Sequence, residues 1–460
     1  MSANNSWTRR QLVQVGTLGW TGLTLSGALA AADRTAAHKP RAKSCILLYL
    51  DGGPSHIDLL DMKPGAPREI RGPYSPITST VPGLQVCEHL PNLARQMHLC
   101  TLIRSVCHEQ TVHDPAVYQM LTGYRHISTA GGLKVEADDV PHMAAAFSRV
   151  NPIRAAMPAA IELPETMHMD GRVLPGQNGG FLGVSYDPFR VRMSIKGEVG
   201  QPEFLLRSDI ATDRLVRRSS LLSELIDGKE DLGSIRSDDP GVSPFDAYRH
   251  QALDILRSPQ VGQAFALDQE SSATRDLYGR HRHGQSALLA RRLVEAGARF
   301  VTVYWGREDQ DWADGRGARP ANNPWDTHRN HFPLVQQSLL PRADQTLAAL
   351  LQDLERRGLL DETLVVWMSD FGRTPRISQP WASRDHWPHA FSVILAGAGL
   401  PQGFIYGKTD QHAAYVTENP VSPADLTATL FNLLGVNPQT TIPGPKGLPH
   451  AISNGAPIDL

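Results

Sequence analysis

The side chains with chemistry to offer gather in short stretches rich in aspartate and histidine. The segment NPWDTHRNHF carries Asp326, His328 and His331, SDFGRTP carries Asp370 and Arg373, and SRDHWPHAF carries Arg384, Asp385, His386 and His389. Near the start of the chain, DGGPSH adds Asp51 and His56. Together they supply carboxylate oxygens and imidazole nitrogens but no thiolate. Such a donor set suits zinc, manganese, magnesium or calcium and does not distinguish among them. A lone histidine is more often a hydrogen-bonded structural residue, but five histidines and four aspartates in these loops point to divalent metal ions. The cysteines Cys45, Cys87, Cys100 and Cys107 have no C-x-x-C spacing, which argues against a zinc ribbon or a redox dithiol. Their number leaves room for one or two disulfides, although Cys45 reads as a small buried hydrophobe within an apolar run.

These residues need elements that bring them to one place. In DETLVVWMSDFGRTP the run Leu364–Met368 is apolar without alternation and stops on Ser369–Asp370. That is the pattern of a strand covered on both faces, as in a parallel sheet. CILLYLDGG repeats it, with Cys45–Leu50 ending on Asp51. Open α/β sheets bind ligands at the carboxyl ends of their strands, where two such aspartates can lie side by side. The plainer reading of Asp370 is a turn cap. Further strands are expected at 99–105, 299–305 and 391–396, and helices at 90–97, from about Pro115, and at 284–297, 342–360 and 422–435. In the last of these Ser422 is the N-cap, Pro423 occupies N1 and Asp425 N3. Strands alternating with helices imply a parallel sheet with helices on both faces. Residues 195–283 read as a charged, helical insertion, and 307–324 as a polar loop long enough to be functional.

The 460 residues are 41% hydrophobic and 20% charged with a net charge of −2, an ordinary globular balance. It leaves no electrostatic footprint for nucleic acid or an anionic membrane. The N-terminus carries paired arginines, Arg9–Arg10, a weakly apolar stretch and the A-x-A pattern Ala28–Leu29–Ala30. This reads as a twin-arginine signal peptide over residues 1–32, followed by a linker at 33–43, with the protein exported to the periplasm or beyond. An anchor helix is the competing reading, but the stretch is short and poorly apolar for a stable membrane span. No other segment approaches one.

With these residues in view, the order of elements resembles the alkaline phosphatase superfamily, which includes sulfatases and nucleotide pyrophosphatases. ILLYLDGG is similar to its first strand, GLLDETLVVWMSDFG to the run ending in a metal-binding aspartate, and LPNLARQ with YQMLTG to the segment around the nucleophile. DHWPHAFSV at 385–393 and PVSPAD at 420–425 resemble, within it, the family called domain of unknown function 1501. The likeness covers about residues 44–440. It implies a three-layer α/β/α sandwich of alkaline phosphatase type with a mostly parallel central sheet, as one domain over 44–455.

The resemblance also implies roles. Asp51 and Asp370 would be ligands of one metal, Asp326 with His328 or His331 would match the pair at a second, and His386 or His389 the late histidine. Phe371 stands where the superfamily has a ligating His or Asn, and Asp385 is expected to make up for it. At the nucleophile position, ten residues before Gly123, the chain has His113, with Pro115 retained and Val117 in place of an arginine. No formylglycine sulfatase can be built from that. The expectation is an exported hydrolase of small-molecule or glycan phosphate or sulfate esters with two metal ions. His113 would act as base, nucleophile or ligand, and Arg373 and Arg384 would clamp the anion. The alternative is a non-catalytic, metal-stabilised scaffold or binding protein on the same fold.

Overall fold

The computed structural model describes residues 40–152, 156–194, 196–199, 217, 253–255, 258–306 and 324–460. The segments expected to be signal peptide, most of the linker, much of the helical insertion and nearly all of the loop at 307–324 therefore lie outside the described residues. Eight strands build the central sheet: β1 (Ser44–Leu50), β2 (Cys100–Val106), β3 (Ala160–Leu163), β4 (Phe189–Arg190), β5 (Phe300–Tyr304), β6 (Thr363–Ser369), β7 (Phe391–Ala396) and β8 (Phe404–Tyr406). Their order is β8-β2-β7-β6-β1-β5-β3-β4. All seven residues of β1 and all seven of β6 are buried, which is why neither shows polar alternation in sequence. Both faces of β1 are apolar because both are covered. Ile46, Leu48 and Leu50 enter the core on one side, and Cys45, Leu47 and Tyr49 enter the core on the other.

The helices that supply those covers are α1 (Pro91–Gln96), α2 (His113–Thr122), α3 (Met143–Val150), α4 (Arg282–Glu295), α5 (Leu340–Arg356) and α6 (Pro423–Leu433). Apolar residues of α1, α4 and α5 pack with Leu48, those of α2, α3 and α6 with Leu47. The result is a three-layer α/β/α sandwich. α6 opens with the reciprocal capping box of Ser422 and Asp425.

One strand departs from the parallel rule. β5 and β6 flank β1 in parallel, but β7 runs antiparallel to both β6 and β2. A parallel return needs a long crossover, normally a helix. The chain between β6 and β7 has only a short ribbon, Gly372–Arg373 paired with His386–Trp387, so it comes straight back. The consequence is functional. β7 begins at the edge of the sheet where β1 and β6 end, and the residues just before it join those just after them.

The four cysteines are free thiols, so the disulfides that their number allowed are not formed. Cys45 packs on one face of the sheet, Cys87 and Cys100 on the other. Burial pushes the thiols of Cys87 and Cys100 up to about 12, which makes them inert hydrophobes. Among the described residues no helix is long and apolar enough to cross a membrane.

Candidate metal centre

The register of the two central strands places the first carboxylates. Leu50 pairs with Ser369, so Asp51 and Asp370 are the next residues on adjacent parallel strands, and both are buried. Ser369 ties the two ends together. Its Oγ lies 2.5 Å from Leu50 O and 2.7 Å from Asp370 Oδ1, and it accepts the Gly53 N–H at 3.1 Å. Asp51 Oδ1, in contrast, has no hydrogen-bond partner. Burial pushes the Asp51 carboxyl well above the usual carboxylate range, and the neighbouring Asp370 and Asp326 push it further against the opposing pull of His113.

The third carboxylate arrives from a separate segment. Trp325 N–H donates to Asp51 O at 3.1 Å, which sets Asp326 beside the strand ends. Four nitrogens then converge on one oxygen. Asp326 Oδ1 lies 3.2 Å from His113 Nε2, 3.0 Å from His328 Nε2, 3.1 Å from His386 Nε2 and 2.7 Å from Arg373 Nη2. Burial works to raise the Asp326 carboxyl, but the three imidazoles and the arginine hold it far below the usual range.

His113 is the first residue of α2, after Val112 as N-cap. Its Nδ1 bonds Asp370 Oδ2 while its Nε2 faces Asp326. Burial disfavours its charged form, yet Asp370 and Asp326 together raise its pKa to about 10. His386 is oriented from behind, its Nδ1 donating to Thr111 O at 2.8 Å, so that Nε2 points inward. One ligand atom each from His113, Asp326 and His386 lie within 4.8 Å of one another. Phe371 walls this group, its ring centroid 4.7 Å from that of His113 and 4.5 Å from that of His386. Gly53 lies against that ring, where a side chain is barred. A Cβ on Gly53, which has φ +75°, would fall 2.7 Å from the Phe371 ring.

Of each histidine pair, one member reaches the cluster. His328 does, and its Nδ1 is 3.1 Å from Asp385 Oδ1, which attaches the exposed Asp385 at the rim. His331 does not. It lies between Thr327 Oγ1 at 2.6 Å and Asp58 Oδ2 at 2.9 Å. His386 reaches the cluster, whereas His389 packs among Trp387 and Tyr415. His56 Nε2 meets Ala413 O at 2.8 Å. Neither arginine offers a donor outward. Arg373 bonds Gly52 O, Gly53 O, Trp325 O and Asp326, and Arg384 bonds both oxygens of Asp58 and the carbonyls of Ile70, Thr374 and Pro375.

Three residues of this neighbourhood carried no signal of their own in the sequence. Asp58, the partner of Arg384 and His331, sits in a four-residue helix among aliphatic neighbours. His108 donates from Nε2 to Asp370 O at 2.6 Å, and burial holds its pKa near 4. Thr111 acts only through its carbonyl, for which any residue type would serve.

The family described as "Protein of unknown function (DUF1501)" matches residues 42–459, and the chain belongs to it. No curated protein matches. Among solved structures, a PsFucS1 sulfatase from Pseudoalteromonas sp. is similar at 14% identity and a TM-score of 0.39, covering 94% of this chain and 72% of that one. A phosphonate monoester hydrolase, SpPMH, from Silicibacter pomeroyi has 14% identity and a TM-score of 0.39, covering 85% and 73%. The C-terminal periplasmic domain of EcEptC from Escherichia coli, in complex with Zn, has 12% identity and a TM-score of 0.37, covering 90% and 93%. Likenesses of this order carry no substrate or activity to this chain.

Proposed function

We propose that this member of the family is an exported, metal-dependent hydrolase of phosphate or sulfate esters. The observation that carries the reading is Asp51 Oδ1, a buried carboxylate oxygen without a partner beside the cluster of Asp326, Asp370, His113 and His386. Three carboxyl groups at one spot, Asp51 and Asp370 buried and Asp326 partly so, repel one another when charged, and a divalent cation answers that repulsion. Asp51, Asp326, His386 and the Nε2 of His113 are the groups that would hold it. Bound there, a divalent ion supplies positive charge for the ester anion and acidifies water. The chain's own residues prepare the rest. Asp370 takes the Nδ1–H of His113, which leaves Nε2 as the atom that gives a lone pair or accepts a proton. Thr111 O does the same for His386. Phe371 and Gly53 keep water from the inner side, so access is from the rim of His328 and Asp385, whose side chains are 40% and 56% exposed.

One observation favours a second reading, a metal-stabilised binding protein without turnover. The two arginines expected to clamp the anion have their donors occupied within the protein. Purified protein assayed with aryl phosphate and aryl sulfate, with metal content measured in parallel, separates the two. Turnover establishes the hydrolase, and full metal occupancy without turnover establishes the binding protein.

The residue to vary is His113. His113→Asn is expected to lower kcat by about 100-fold or more with metal retained if the imidazole moves a proton, and to lose metal if it is a ligand. Because its folded pKa is raised to about 10, a bound ion must displace the proton of His113. Metal affinity should therefore climb with pH up to about 10, by about tenfold per unit for each displaced proton, and climb less steeply in His113→Asn, where only the raised Asp51 carboxyl still has a proton to lose. Identical activity, metal content and pH profile in the variant would remove His113 from the site.

Export rests on Arg9–Arg10 and the A-x-A pattern. Changing both arginines to lysine is expected to leave precursor in the cytoplasm, with the wild type processed near Ala31. Processed protein outside the cytoplasm in both strains would rule out the twin-arginine route.

A further inference from the structure

The rim of the cluster carries a third arginine. Arg329 follows His328 directly in the chain, is exposed, and has its guanidinium carbon 4.5 Å from the centroid of the Trp381 ring. Among the described residues that stacking contact is its sole partner, in contrast to Arg373 and Arg384 with their occupied donors. Trp381 is 55% exposed, an unusual position for so large an apolar side chain. It stands on a loop that is closed at its base and fastened to the rim at two points. Ser378 and Ser383 bridge its base, Ser383 Oγ donates to Thr327 O at 2.6 Å, and Ser378 Oγ bonds the Asp385 carboxylate that also meets His328.

The chemistry of the pair is specific. An indole beneath a guanidinium fixes its position by cation–π attraction without consuming an N–H. A planar cation held ready with unengaged donors suits a sulfate, phosphate or carboxylate, which it meets with two parallel hydrogen bonds. The exposed remainder of the indole suits the flat face of a ring.

We propose that Arg329, seated on Trp381, is a specificity-determining residue of this site, and that it binds a second anionic group on the alcohol portion of the ester, a ring that rests against Trp381. The ligand class is thus a multiply anionic sugar or comparable ring ester. The inference rests on the ester-hydrolase reading for the place of the reacting group, but the binding itself does not require turnover.

The test is a calorimetric titration of the metal-loaded full chain with sucrose octasulfate, with uncharged sucrose and inorganic sulfate as controls. Wild type is expected to bind sucrose octasulfate more tightly than inorganic sulfate, and not to bind sucrose. Arg329→Ala should weaken the binding of sucrose octasulfate by about tenfold, the equivalent of one charge-assisted contact. Trp381→Ala should weaken it similarly, and Arg329→Lys should restore only part, because an ammonium neither stacks nor forks. Arg356→Ala removes the same charge from the exposed side of α5 and should change little. Both rim residues are exposed, so the variants should fold. Absence of binding in wild type, or an Arg329→Ala no weaker than Arg356→Ala, overturns the proposal. Binding that depends on Arg329 in a protein that turns over no ester supports it while defeating the hydrolase reading.

Discussion

Asp326→Ala is expected to strip the protein of metal and of any ester turnover. One oxygen of this side chain meets three imidazoles and a guanidinium at 3.2 Å or less, and no other described group is placed to do so. Arg373 is fully buried, and without Asp326 its charge faces only carbonyls and His328. Breaking a buried charged contact by removing one partner costs about 3–5 kcal/mol. The loss should therefore appear even in metal-free protein as a lower thermal midpoint. The folded pKa of Asp326 lies far below its unfolded value, so this contribution is present above about pH 4 and fades as the pH falls. Asp326→Asn separates the two effects, because it keeps the shape and one acceptor while removing the charge that an ion requires. It should unfold closer to wild type and still fail to retain zinc or manganese. Metal content by mass spectrometry and thermal unfolding after chelation provide the readouts. Wild-type metal occupancy in Asp326→Ala would place the ion elsewhere.

The strand ends were legible in the sequence because burial on both faces leaves an unbroken apolar run, and a carboxylate that terminates such a run stands out. Asp51 and Asp370 were found in that way, and the register of β1 and β6 makes them neighbours. The direction of β7 was not legible. FSVILA is apolar in either direction, and only the lack of a helix between Asp370 and Phe391 decides that it returns antiparallel. Spacing could not choose within His328/His331 or His386/His389, since members three residues apart differ only in which partner each finds. The choice is made by contacts that spacing does not reveal: Asp58, far off in the chain, and the nearby Thr327 take His331, while Tyr415 and the nearby Trp387 surround His389. The arginines show the same limit. Arg373 follows Asp370 and Arg384 precedes Asp385, as an anion clamp beside the metal would, but carbonyl oxygens are invisible in sequence, and it is carbonyls that take up most of their donors.

Asp58→Ala is expected to be the most damaging substitution away from the cluster. Arg384 and Asp58 are both fully buried and joined by two hydrogen bonds, Nε–Oδ2 at 2.6 Å and Nη2–Oδ1 at 2.8 Å. Burial pushes the Asp58 carboxyl up, but the Arg384 charge and the hydrogen bond to His331 hold it below the usual range. The charged pair therefore persists throughout the neutral range, and acid would be needed to discharge it. Removing Asp58 leaves a guanidinium inside the protein with carbonyl partners alone, at a cost of about 3–5 kcal/mol. The damage should also reach the metal. Arg384 anchors the return segment that carries Asp385 and His386, and Asp58 holds His331, three residues from His328. Asp58→Ala should accordingly lose urea stability and bind metal more weakly, although it touches none of the proposed ligands. A double variant, Asp58→Leu with Arg384→Met, removes both charges and should recover much of the stability, as expected when an uncompensated buried charge is the cause. If Asp58→Ala unfolds in urea within about 0.5 kcal/mol of wild type, the pair is not what fastens the return segment. The histidines would then owe their positions to the cluster itself.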